Sequence, residues 1–177
     1  FSSAAIVSDN RIVYVGFCGD ELNNFDALIV LCDSEKNVIW ARKYSKTGRD
    51  EALSVVQCSA GIVVSGMHSG GKHAFIIILD DSGVIIAEHF LEDTELRVMK
   101  RTATGGFVVI GDTLEDGKTV GLLLLGNADG SFDDLFVFEV LGNSYPVKGY
   151  SLDETAEGHF VVLFDLYGDT YGTAKSK

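Results

Sequence analysis

Residues 12–16 read IVYVG, and runs of the same kind return at 62–66 (IVVSG), 107–111 (FVVIG) and 160–164 (FVVLF), at spacings of 50, 45 and 53 residues. A second apolar run, ALIVL from Ala27, returns as AFIII from Ala74 and GLLLL from Gly121, each 47 residues on. Turn residues follow at 33–37 (DSEKN), 80–83 (DDSG) and 127–130 (NADG), and then a third run: VIWARKY, VIIAEHF and SFDDLFVFEV. A more polar run opens each unit: SSAAIV near the start, ALSVVQ from Ala52, LRVMKRT from Leu96 and KGYSLDE from Lys148. Gly, Asn and Asp suit the turns, because tight hairpins need positive φ or a side chain that bonds its own backbone.

Each unit therefore reads as four short antiparallel strands. The apolar residues are consecutive rather than spaced by three and four, and Gly or Asx interrupts them every 8–12 residues, which excludes amphipathic helices. Continuous apolar runs predict burial on both faces for the two middle strands, and alternation predicts half-burial for the outer two. Such units cannot cover both faces alone. The expected fold is all-β, a β-propeller-like array of four-stranded antiparallel blades in which neighbours cover one another. A β-sandwich is the alternative.

The units of this single repeat domain fall at about 1–46, 47–92, 93–142 and 143–177, the last incomplete, with TYGTAKSK at most beginning its third strand. That makes about 14 strands, or three and a half blades. An open half-blade leaves unpaired edges, so another segment of polypeptide is expected to complete the propeller. A more specific alternative is a homodimer, two copies closing one seven-bladed ring.

The chain of 177 residues carries 14 Lys+Arg against 26 Asp+Glu, a net charge of −12, with 46% apolar residues, 20 Gly and one Pro. A sizeable core is therefore available, and without a basic cluster no nucleic-acid partner is expected. Apolar runs such as 75–79 and 122–125 fall far short of the roughly 18 residues that span a bilayer, so no membrane insertion is expected. Cys18, Cys32 and Cys58 are odd in number and lack C-x-x-C spacing, which suits ordinary thiols and leaves one cross-strand pair open. The chain begins at Phe1 with no basic and apolar leader, and so reads as a processed product or a piece of something longer.

Residues 25–66, FDALIVLCDSEKNVIWARKYSKTGRDEALSVVQCSAGIVVSG, resemble the propeller repeats of bacterial and archaeal secreted or surface proteins. Those units run D-A-L-L-V-K-L-D-x-x-G-N-V-x-W-A-x-x-Y-G-G, then D-x-A-x-S-V, then G-G-Y-x-V-x-G. Asp26, Ala27, Leu28, Asp33, Asn37, Val38, Trp40, Ala41, Tyr44, Asp50, Ala52, Ser54, Val55, Gly61 and Gly66 match in order. The later units match loosely: the second keeps Ala74, Asp80, Gly83 and Ala87 but has Ile86 for the Trp, the third keeps Gly105, Gly106 and Gly111, and the fourth keeps Gly158. The resemblance implies a propeller and an extracellular or cell-surface setting. It implies no chemistry, because propellers host binding platforms and enzymes alike.

Residues 66–73 (GMHSGGKH) fit G-x-x-x-x-G-K, but His73 stands where a phosphate loop needs Ser or Thr and a strand follows instead of a helix, so a hairpin connection is the better account. His68 and His73 flank that loop and would face each other as metal ligands, although solvated loop histidines explain them more simply. Asn127, Asp129, Asp133 and Asp134 surround one turn whose oxygens would suit Ca²⁺; the complete calcium-loop pattern is missing, and a polar hairpin serves as well. No other cofactor is indicated. Residues 112–116 (DTLED) and the pair Asp20 and Glu21 are expected in strand-connecting loops, where Asp112 and Asp116 would serve glycoside acid–base chemistry if they faced one pocket. A solvated loop is the simpler account.

Trp40, Tyr44 and Tyr14 belong to apolar strands and are expected in blade packing. Tyr145, Tyr150, Tyr167 and Tyr171 cluster near the end, where they either contact a protein or carbohydrate ligand or pack beneath strands the chain lacks. The expected function is a non-catalytic propeller module for protein or surface-ligand recognition, or a structural unit of an extracellular assembly. The alternative is a carbohydrate-active or other hydrolytic propeller, which needs loop carboxylates within about 5–10 Å of each other over a cleft.

Overall fold

A computed structural model of the chain describes residues 1–19, 25–46, 48–68, 73–139 and 146–166, with Asp133 and Asp134 as backbone only. Blade 1 comprises β1 (Ser3–Ile6), β2 (Ile12–Gly19), β3 (Phe25–Cys32) and β4 (Val38–Tyr44). Blade 2 comprises β5 (Asp50–Cys58), β6 (Gly61–His68), β7 (His73–Leu79) and β8 (Ile85–Glu92). Blade 3 comprises β9 (Thr94–Arg101), β10 (Phe107–Glu115), β11 (Lys118–Gly126) and β12 (Phe132–Phe138), and β13 (Val147–Glu154) with β14 (Phe160–Leu166) forms a two-stranded fourth blade. Every sheet is an antiparallel meander hydrogen-bonded in chain order. The fold is thus an all-β, propeller-like array of blades, and the described residues do not close a ring.

The apolar runs divide by the two-residue period of a strand. In β6 and β7, Ile62, Val64, Phe75, Ile77 and Leu79 face blade 1, joining Val13, Val15, Ile29, Leu31, Trp40 and Tyr44. Their sequence neighbours Val63, Ala74, Ile76 and Ile78 face blade 3 and join Leu96, Met99, Phe107, Val109, Leu122 and Leu124. Val108, Ile110 and Leu123 in turn face blade 4. Consecutive apolar residues therefore feed two different cores.

The opening strand of blade 2 departs from the expected half-burial, which β1, β9 and β13 keep. β5 is buried along its length except at Leu53 and Gln57, although Asp50, Glu51 and Ser54 lie in it. It is enclosed because it lies against β1, β2 and β3 on one side and β9 on the other; β13 likewise lies against β9, β10 and β11. Place in the stack, not composition, buries this strand. The fourth strand follows expectation, with β8 alternating between exposed and half-buried residues after its first two.

Two irregularities recur from blade to blade. On the opening strands the register shifts between Ala52 and Ser54, between Leu96 and Val98, and between Gly149 and Ser151, so that Leu53, Arg97 and Tyr150 are each an extra, bulged residue. The bulge resets the alternation. It lets Ala52 and Val55, three residues apart, both join the core against blade 1, and Leu96 and Met99 both join the core against blade 2. It also accounts for the terminal Gly of IVVSG and FVVIG: a Cβ on Gly66 or Gly111 would lie 2.2 Å or 2.0 Å from the carbonyl oxygen of Glu51 or Glu95.

A second bulge falls at Ile39, Ile86 and Asp133, near the start of each fourth strand. It corrects the alignment of the repeats. The structural partner of Trp40 in blade 2 is Ala87, and Ile86 is an exposed bulge residue rather than a replacement for the Trp. Trp40 is held by its indole N–H donating to the Asp81 carbonyl at 3.0 Å, across the junction of blades 1 and 2.

Two substitutions test this packing. Lys36 holds φ 69° at the turn position that Gly83 and Gly130 occupy in the next two blades, so Lys36→Gly is expected to stabilise the chain by up to about 1 kcal/mol. Ser65 is fully buried, and its hydroxyl is the one buried side-chain polar atom without a partner among the described residues; Val15 and Ile110 hold the same position in blades 1 and 3. Ser65→Ala is expected to raise stability by about 1 kcal/mol. Urea unfolding midpoints at constant m-value check both.

Candidate functional site

The strand order sends two kinds of connection to opposite ends of the blades. The turns at 33–37, 80–84 and 127–131 lie at one end; the connections between blades and between the second and third strands lie at the other. Among the described residues, the buried acids and histidine, Asp50, Glu51, His68 and Asp112, all lie at this second end. Buried ionisable groups are costly unless paired, so each partner matters.

Across blade 2, Asp50, His68, His73 and Glu92 are successive ladder partners and form one transverse row. His68 Nδ1 lies against one Asp50 carboxylate oxygen, and the other accepts the Lys46 amide at 2.7 Å, which ties down the connection from blade 1. Beside this row the Tyr44 hydroxyl donates to Glu88, whose carboxylate is also 2.9 Å from Lys46 Nζ. Burial, followed by the hydrogen bond to Glu88, pushes the Tyr44 phenol far above its ordinary range; that hydrogen bond and Lys46 hold Glu88 below the usual carboxylate value.

Blade 3 builds a different cluster on the same level. One guanidinium nitrogen of Arg97, the bulged residue, touches Glu95 at 2.8 Å and Asp112 at 3.1 Å, and its Nε adds a contact to Asp112 at 3.2 Å. Burial raises the Asp112 pKa, with Arg97 opposing it. Nearby at the junction of blades 1 and 2, Arg49 pairs with Glu51 and stands 4.9 Å over the Phe25 ring, which meets Phe17 edge-on at 5.1 Å.

The candidates from the sequence are dispersed. Asp112 lies inside β10, not in a loop; the strands run on, and only Asp116 and Gly117 turn the chain, both at positive φ, as a two-residue hairpin requires. Asp116 sits at an exposed tip four residues along the strand, roughly 13 Å from Asp112, so the two do not face one pocket. Asp129 accepts the Ser131 amide and hydroxyl at 2.9 Å and 2.6 Å, and Asn127 bonds the same hydroxyl at 3.0 Å, so the turn closes on itself. The Asp133 side chain lies outside the described residues, as do Tyr145, Tyr167, Tyr171, Asp20, Glu21 and TYGTAKSK.

Tyr150 is described, and is 65% exposed at its bulge. His68 is buried, not a solvated loop residue, and its ring stacks 6.4 Å from His73, whose Nδ1 accepts the Asp93 amide at 3.3 Å. Among the described residues no three His, Cys, Asp or Glu side chains converge as a metal site. Cys18, Cys32 and Cys58 are free thiols, and among the described residues no helix is long and apolar enough to cross a membrane. Arg97, Glu95 and Arg49 escaped the sequence reading; the available signal was that Arg97 holds the variable position between Leu96 and Val98 that Leu53 holds in blade 2.

No family model matches the chain, and no curated protein matches it. Among solved structures, the crystal structure of a protein of unknown function from Bacteroides caccae is similar, with a TM-score of 0.51 and 17% identity over 84% of this chain and 49% of that one. That likeness shows the fold alone. The chain spans about half the length of that structure.

Asp112 and the turn carboxylates at the opposite end respond to pH in opposite senses. Folding raises the Asp112 pKa, so its contribution weakens stability as pH rises from 3.8 towards the higher folded value, and is absent below 3.8. Asp33, Asp80 and Asp129 are lowered chiefly by bonds from Asn37, Ser82 and Ser131, so their stabilisation is present above 3.8 and lost as pH falls through their folded values. Urea midpoints followed from about pH 3 to about pH 7 should show Asp112→Asn losing the decline above 3.8 while keeping the acid loss below it.

Proposed function

We propose that the chain is a non-catalytic propeller module whose opening-strand bulges and adjacent connections recognise a protein or surface ligand in an extracellular or cell-surface setting. One observation carries this reading: the same bulge on three successive opening strands presents Leu53, Arg97 and Tyr150, an aliphatic, a cationic and an aromatic residue on one framework. Tyr and Arg are the residue types that dominate binding energy at interfaces. Phe17 and Phe25 extend the surface towards blade 1. The setting is supported by the resemblance of residues 25–66 to secreted and surface repeats.

The ionisable groups of this end are engaged with one another, which suits a fixed recognition surface better than a poised catalyst. Asp112 favours a second reading, a hydrolytic propeller, because a buried carboxyl with a raised pKa is what a general acid needs and Glu95 stands beside it on the same Arg97. Against that, the guanidinium occupies both carboxylates. A glycan array and a panel of p-nitrophenyl glycosides separate the two. Recognition predicts no turnover, and array or partner binding that Tyr150→Ala weakens and Asp112→Asn leaves largely intact. Turnover abolished by Asp112→Asn or Glu95→Gln would replace it with the hydrolytic reading.

A further inference from the structure

Ile6, Gln57, Arg101 and Glu154 hold one position in the four blades, each paired with the first residue of its second-strand run: Ile12, Ile62, Phe107 and Phe160. Two residues later, in the connection to the second strand, stand Ser8, Ser59 and Ala103 of blades 1, 2 and 3. At two junctions the side chain at this position closes onto that connection in the blade before it. The Ser8 amide donates to Gln57 Oε1 at 2.7 Å, and the Ala103 amide donates to Glu154 Oε2 at 2.8 Å. The junction of blades 2 and 3 breaks the pattern, because a guanidinium carries only donors and Arg101 cannot accept the Ser59 amide. The Ser59 amide and the Arg101 side chain have no hydrogen-bond or ion-pair partner among the described residues. Arg11, Arg42, Arg49 and Arg97 are all engaged.

Ser59 and Arg101 line one cavity of about 490 Å³ at the turn end, together with Ser8, Gln57, Asp80 and Asp81, within the roughly 300–1,000 Å³ of small-molecule sites. Arg101 lies two residues beyond Met99, which packs against blade 2, and so stands on the same side of β9. Both Ser59 and Arg101 are exposed, and a ligand can reach them from solvent. We propose that this cavity binds a small hydroxylated carboxylate of the sugar-acid class, whose carboxylate accepts the Ser59 amide and the Arg101 guanidinium. The ligand supplies at this junction the acceptor that Gln57 and Glu154 supply from within the chain at the neighbouring ones. A carboxylate fits because Glu154 uses one in the equivalent place, and because a guanidinium meets it through two parallel N–H···O bonds. Asp80 and Asp81 add acceptors for ligand hydroxyls and disfavour an anion of higher charge such as phosphate, because like charges repel. The site lies at the opposite end from the recognition surface proposed above and is independent of it.

Titration of the nitrogen-15-labelled chain with sodium D-glucuronate to about 50 mM, followed by amide NMR, tests the proposal across the millimolar affinities of a single small ligand. Saturable shifts should centre on the Ser59 amide. D-glucose, which lacks the carboxylate, should produce none, and inorganic phosphate should bind more weakly. Arg101→Gln places at this junction the residue type of Gln57, giving the Ser59 amide an internal acceptor. It should weaken glucuronate binding about tenfold or more and raise the urea midpoint. Lys100→Gln removes the same charge one residue away, where the side chain reaches Asp153 of blade 4 at 2.8 Å, and should leave glucuronate binding unchanged. The urea transitions show that both variants fold. No saturable shift with glucuronate, shifts confined to the opposite end, or equal binding of D-glucose or phosphate would overturn the proposal. So would equal affinity in the wild type and Arg101→Gln, or equal losses from the two variants.

Discussion

The structure depends on the inner blades having a neighbour on both sides. Because side chains alternate across a strand, IVVSG and FIIIL cannot bury all their apolar residues in one core; Ile62 and Val64 enter the core against blade 1, and Val63 enters the core against blade 3. Burying an aliphatic side chain contributes roughly 1.5–3 kcal/mol, so removing either neighbour strips several such terms from the same sheet. Stability is then a property of the stack, carried by nearest-neighbour junctions. The terminal sheets, with one junction each, are the weaker units, and local opening is expected to start there.

Within that stack the bulge of the opening strand reconciles two demands. A regular strand would place Ala52 and Val55 on opposite faces; the extra residue between them brings both into one core. The local cost is a disrupted ladder and a backbone so close to the next strand that Gly66 and Gly111 cannot carry a side chain. The gain is a position, filled by Leu53, Arg97 or Tyr150, that the core does not specify. Residues there are free to differ between blades without disturbing the packing on either side.

Much of this architecture was legible in the sequence because it is written in runs. IVYVG, IVVSG, FVVIG and FVVLF mark the second strands, and the Asx turns at 33–37, 80–84 and 127–131 mark the hairpins where the structure has them. What stayed hidden depends on register. Matching Val84 to Val38 sets Ile86 against Trp40, but the turn hydrogen bonds make Val84 the counterpart of Asn37, so Ala87 fills the place of Trp40. The burial of β5 was hidden for a related reason: Asp50, Glu51 and Ser54 look like surface, and only the packing of the previous blade encloses them. The candidate site suffered most, because DTLED reads as a loop until the ladder is seen to continue to Glu115 and Lys118.

The ionisable end can be separated from the fold by comparing equivalent positions. Asp50, buried against His68, has Thr94 and Val147 as its counterparts in the next two blades, and both are buried as well. The packing therefore accepts an aliphatic side chain where blade 2 keeps a carboxylate. Where blade 3 sets Arg97 against Asp112, blade 2 places Leu53 and Met67. Buried ion pairs are weak contributors to stability because desolvation offsets much of their attraction, and here apolar residues at the same places support the same sheet. The charges at this end are not what holds the blades together. The turn carboxylates at the other end are spent on their own backbone in every complete blade, as Asp33, Asp80 and Asp129 are. One end repeats the same turn three times, with Asn127 in the place of Asp33 and Asp80; the other varies its side chains on a constant frame.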